Sequence, residues 1–155
     1  MKQLTFLILL LYSCSFLGQS ATYLNPTGKY KLNSKTTKKK GDTYGYFGDI
    51  KVIALGKDKI LISFYVCKGA PSYNSGSFID TLAYKNNVAI YKGDPEADPS
   101  CNMRMEFSRK GVDVELKSDN PNFACGFGHA VDSQGFYNRI IGQIPKKNEI
   151  LNDDR

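Results

Sequence analysis

In the stretch Cys101-Asn102-Met103-Arg104-Met105-Glu106-Phe107 apolar and polar residues alternate without a break, and Val112-Asp113-Val114-Glu115-Leu116 repeats the pattern. A period of two belongs to a strand with one face in a core and the other in water. Arg109-Lys110-Gly111 between the runs is turn chemistry, so the two segments read as an antiparallel hairpin. Cys101 falls on the apolar side, which points its thiol inward. The glycine-dense corner Cys125-Gly126-Phe127-Gly128-His129, leading into Gln134-Gly135-Phe136-Tyr137, supplies a second cysteine that can meet it.

The remaining chain repeats this grammar. Residues 27–32 read as a first strand with Tyr30 and Leu32 on one face. Residues 44–55 read as a second, with Ile50, Val52 and Ala54 opposite Lys51 and Ile53. Gly45 and Gly48 inside it predict a bulge or sharp bend, because glycine weakens a regular strand. Residues 60–67 are nearly all apolar, as in a strand covered on both faces. Residues 78–84 and 88–91 form a further pair around Lys85-Asn86-Asn87, where asparagine tolerates the left-handed backbone of a tight turn. One or two short strands follow between residues 126 and 139. No segment carries three turns of helical periodicity. The fold class expected is all-β, a small antiparallel β-barrel or meander of roughly eight strands, with a β-sandwich as the alternative. Barrel closure is favoured because it removes exposed edges.

The ends have their own signatures. Lys2, the apolar run 4–11 and Gly18-Gln19-Ser20 make residues 1–20 a signal peptide, too short for a membrane span. An alternative reads Leu11-Tyr12-Ser13-Cys14 as a lipidation site, anchoring the chain through Cys14. Residues 21–140 are then one β-barrel domain, and residues 141–155, polar and without periodicity, a flexible tail. The localisation that follows is secreted or periplasmic. The net charge of +6 permits acidic partners without requiring them. Much of it sits in Lys35-Thr36-Thr37-Lys38-Lys39-Lys40, which reads as a solvated loop. No aromatic is interleaved there, so nucleic acid is not an expected partner.

Of four cysteines, Cys67, Cys101 and Cys125 survive removal of the leader. In an oxidising compartment this means one bridge and one leftover thiol. Cys101 with Cys125 is the expected disulfide, and Cys67 a small buried hydrophobe.

The ending Cys125-Gly126-Phe127-Gly128 with Gly135-Phe136-Tyr137-Asn138-Arg139, together with the strand cysteine Cys101, resembles small exported bacterial proteins of the lysozyme-inhibitor-like type. The resemblance covers about the last third of the mature chain. It implies a compact antiparallel barrel with a disulfide, outside the cytoplasm. Characterised inhibitors of that type insert a loop of small polar residues into the acidic cleft of the enzyme. The nearest equivalent here is Tyr73-Asn74-Ser75-Gly76-Ser77, which departs from their Ser/Lys-Tyr recognition motif.

Chemistry-bearing residues are sparse. His129 is the sole histidine, so a catalytic triad or a histidine-rich zinc site has little to build on. Gly126-x-Gly128 reads as a tight turn. Asp94, Glu96 and Asp98 alternate in one loop, but Pro95 and Pro99 interrupt any calcium-loop register, and no metal or cofactor is expected. The candidate binding residues are Tyr73, Asn74, Ser75, Phe127 and His129. The function expected is an exported, non-enzymatic binding protein using loops at one barrel mouth, in its specific form an inhibitor of a cell-wall hydrolase such as lysozyme. Its partner is then a protein or small ligand outside the cytoplasm, met by a monomer without a transmembrane segment. The alternatives are a small-molecule carrier with an internal apolar cavity and a small secreted hydrolase.

Overall fold

Residues 22–153, the part that the computed structural model describes, form nine antiparallel strands, one short α-helix and a single 3-10 turn at Ala124–Gly126. The expected leader 1–20 and Cys14 lie outside the described residues. The strands are β1 (Gly28–Leu32), β2 (Thr37–Lys39), β3 (Asp42–Ala54), β4 (Lys59–Gly69), β5 (Ser75–Lys85), β6 (Val88–Tyr91), β7 (Asn102–Phe107), β8 (Gly111–Lys117) and β9 (Gly135–Ile140); the helix is α1 (Lys147–Leu151). Their order is β1-β9-β8-β7-β6-β5-β4-β3-β2, and β1 also pairs with β3. Eight strands therefore close on themselves as a barrel, with β2 attached as an extra strand. The expectation of an all-β barrel holds, and the sandwich alternative does not.

Registers follow the alternation. Met103 lies opposite Leu116 and Met105 opposite Val114, which turns Arg104 and Glu106 outward, where they form an ion pair at 2.7 Å. Tyr30 faces Ile50 across β1 and β3, and Phe64 faces Phe78 across β4 and β5. The expected irregularity in β3 is present as a register shift between Tyr44 and Phe47. Gly45 lies inside the shift at φ 92°, and just beyond it a Cβ on Gly48 would lie 2.4 Å from the Tyr65 carbonyl oxygen.

Side chains fill the interior. Tyr30, Ile62, Phe64, Met103, Met105 and Tyr137 are completely buried in one continuous cluster. An eight-stranded barrel is just wide enough to be filled in this way, so the room that an internal ligand needs is taken. One seam is open: β5 and β6 share only Tyr84–Ala89 and Lys85–Val88 among the described residues. Phe78 and Tyr91 stack across that seam with ring centroids 3.7 Å apart, and burial there pushes the Tyr91 hydroxyl pKa up.

At one end of the barrel the segment before β1 lies over the opening. Leu24 donates its N–H to Asn87 Oδ1 at 2.8 Å, and the Tyr84 hydroxyl donates to the Leu24 carbonyl at 2.9 Å. Asn86 and Asn87 have positive φ, the left-handed turn expected of them.

Two expectations are corrected. The lysine run is not a plain loop: Thr37–Lys39 pairs with β3 and forms a hairpin arm. Within the expected flexible tail 141–155, the described part 141–153 is docked in places. Ile150 of α1 is completely buried, Glu149 pairs with Lys29 at 2.7 Å, and Asp153 with Lys51 at 2.8 Å. The apolar residues of this segment, Ile141, Ile144, Ile150 and Leu151, follow no sustained period, and burial of Ile150 alone suffices to dock a single helical turn.

Candidate functional site

The opposite end of the barrel carries its long connections, residues 70–74, 92–101 and 118–134. Covalent and polar ties hold them. Cys101 and Cys125 are joined as expected, and Cys67 is free and buried. Beside the bridge, Asp98 is 1% exposed. Its Oδ1 accepts the hydroxyl of Ser100 at 2.6 Å, and its Oδ2 accepts the hydroxyl of Ser118 at 2.7 Å and the Cys125 N–H at 2.8 Å. These donors, led by the Ser100 hydroxyl and the Cys125 N–H, hold its carboxyl pKa down at about 2. Asp98 is thus a structural clamp. Asp94 turns to its own loop and accepts the Glu96 N–H at 2.9 Å. Among the described residues these three carboxylates form no shared ligand set; the grouping of Asp98 with Cys101 and Cys125 has both sulfurs committed to the disulfide.

Phe127, one of the candidate binding residues, turns inward. It is 4% exposed and stacks on Phe64 with ring centroids 6.1 Å apart and planes at 2°. Gly76 makes space for it, since a Cβ there would lie 2.3 Å from the Phe127 ring. Phe127 is therefore the plug of this barrel end, and the glycine that admits its ring is Gly76 of β5 rather than the flanking Gly126 or Gly128.

Tyr73 is 42% exposed, with its backbone at φ 51°. Its hydroxyl donates to Asp42 Oδ1 at 2.9 Å and accepts the Thr43 N–H at 3.1 Å, fastening the β4–β5 loop to the start of β3. Asn74 is half-buried and Ser75 exposed. His129 is exposed, and its carbonyl accepts the Lys68 ammonium at 3.1 Å, which ties the loop after residue 123 to the end of β4. Its imidazole lies 6.4 Å from the ring of Phe123, itself half exposed. Phe123 and Lys68 were missed by the sequence reading, because nothing local marks an aromatic after a turn, or a lysine at a strand end, as partners of a distant loop.

Four non-glycine residues here, Tyr73, Cys125, His129 and Ala130, hold positive φ. Each costs about 1–3 kcal/mol and persists only where its surroundings fix it. The contacts shown by His129 are the Lys68 ammonium at its carbonyl and the Phe123 ring beside its imidazole. What the arrangement offers is a rigid, exposed rim of two aromatics, an amide, a hydroxyl and an imidazole.

Fold and rim together define a closed, side-chain-filled β-barrel whose one mouth is capped by disulfide-pinned loops. No protein-family model, curated protein or solved structure matches the chain.

Proposed function

We propose that the protein is an exported, non-enzymatic binding protein that recognises another protein with the mouth formed by residues 67–77 and 123–130, and that its target class is a cell-wall hydrolase of the lysozyme type. The observation that carries this reading is the filled barrel whose long loops are fixed at one end, with backbone strain concentrated in them. Loops on a rigid scaffold are where recognition varies without disturbing a core, and strained backbone gathers at sites of function. Tyr73 and Phe123 supply aromatic anchors, and Asn74, Ser75 and His129 adaptable hydrogen bonds, the mixture that binding rims favour. The leader-like start and the disulfide fit a compartment outside the cytoplasm.

The test is binding of the mature chain to a panel of lysozymes and bacterial cell-wall hydrolases by biolayer interferometry. At least one member binds, and Tyr73→Ala with Asn74→Ala weakens it by about tenfold or more, the range of a modest hot spot. Failure to bind any member removes the target class. Unchanged affinity in the double variant removes the mouth as the binding surface.

A further inference from the structure

The outer wall of the barrel carries a second concavity, an open groove of about 710 Å³, within the size range of ligand sites. Its floor is the outward face of β1, β3 and β4, where Lys29 lies opposite Lys51 and Lys31 opposite Asp49. The β2–β3 hairpin, with Thr36 and Lys38, forms one side, and Ile140 and Gln143 close the other. The hairpin bends on glycine: a Cβ on Gly45, at φ 92°, would lie 2.6 Å from the Lys35 carbonyl oxygen. The concavity is therefore written into the backbone.

The chain itself shows what this wall accepts. Glu149 reaches Lys29 at 2.7 Å, and Asp153 reaches Lys51 at 2.8 Å while accepting the Ser63 hydroxyl at 2.6 Å. Carboxylates of a peptide segment thus occupy the lysines at the α1 side. Lys31 and Lys38, towards the hairpin, are exposed and form no ion pair among the described residues. In the same lining Phe47 and Tyr65 present rings 6.3 Å apart.

We propose that this groove docks an acidic segment of a partner protein, whose carboxylates engage Lys31 and Lys38 as Glu149 and Asp153 engage Lys29 and Lys51, while an apolar side chain rests on Phe47 and Tyr65. A peptide is favoured over a polysaccharide or a nucleic acid because the carboxylates already seated on this wall, Glu149 and Asp153, belong to a peptide segment, and their spacing on an extended or helical chain is what Lys29 and Lys51 meet. The inference goes beyond the mouth proposed above and stands on different residues, so either can fail alone.

Fluorescein-labelled octaglutamate, followed by anisotropy at low salt, is the probe. It binds the mature protein, and octaglutamine does not. Lys31→Glu with Lys38→Glu weakens octaglutamate by about tenfold or more, and Lys31→Ala with Lys38→Ala by less, in the same direction. Lys57→Glu with Lys110→Glu, an equal charge change in turns at the far end, leaves the affinity within about twofold. Asn74→Ala leaves it unchanged. The proposal is overturned by absent octaglutamate binding, by equal losses from the near and far pairs, or by tighter binding of an oligogalacturonate or a DNA oligomer of equal charge.

Discussion

The Asp98 carboxylate accepts the backbone N–H of Cys125 at 2.8 Å, across a separation of 27 residues. The corner that bears the disulfide is thereby fixed twice, once by sulfur and once by a buried anion. Because the folded-state pKa lies near 2, against an ordinary value of 3.8, this contribution is complete above about pH 4 and fades as pH falls towards about 2. Asp98→Asn, which lacks the charge and has one acceptor oxygen, lowers the melting temperature at neutral pH by several degrees. The gap to the parent protein narrows on acidification. Thermal scans across that range check it, and a gap that widens below pH 4 contradicts the assignment.

The bridge itself closes a loop with a sequence separation of 24, for which chain entropy predicts about 3–4 kcal/mol. Cys101→Ser with Cys125→Ser should shift the urea midpoint accordingly. In the parent protein a thiol reagent labels Cys67 only on unfolding, because that side is buried. Mass spectrometry of a non-reduced digest reads both statements.

Phe127→Ala removes the plug that stacks on Phe64 and costs about 3–5 kcal/mol, as for other buried aromatics. Gly76→Ala forces a methyl into the same ring and destabilises in the same direction. Chemical denaturation measures both. A neutral Phe127→Ala would return that residue to the surface role it was first given.

Ile150 anchors α1 and is completely buried. Ile150→Ala costs about 2–5 kcal/mol if the helix unfolds with the barrel, and amide exchange across residues 147–151 is slow in the parent chain. A fraying end with exchange at the random-coil rate contradicts the docked helix.

The elements legible in the sequence are those whose signal is local. The alternation of Met103, Met105 and Phe107 against Val112 and Val114 marks two strands and the face they bury. Gly45 and Gly48 announced the bend, and the two cysteines their bridge. The rest depends on tertiary placement. Thr37–Lys39 lacks any apolar face and becomes a strand because β3 extends beyond the barrel to pair with it. Asp98 looks like any loop carboxylate until Ser118 and Cys125 converge on it. Phe127 and Tyr73 both follow small residues in turns, yet one is the plug and the other lies on the rim. The groove lysines are spread over β1, β2 and β3, so only the strand order brings them together.

The proposed recognition by the rim of a filled barrel is decided by amide chemical-shift mapping of the protein titrated with the hydrolase that binds it. Perturbations are expected to cluster at residues 68–75, 123 and 128–130, with inward-facing Phe64, Met103 and Tyr137 unmoved. Perturbations centred on those inward residues, as a ligand entering the interior would produce, contradict the proposal.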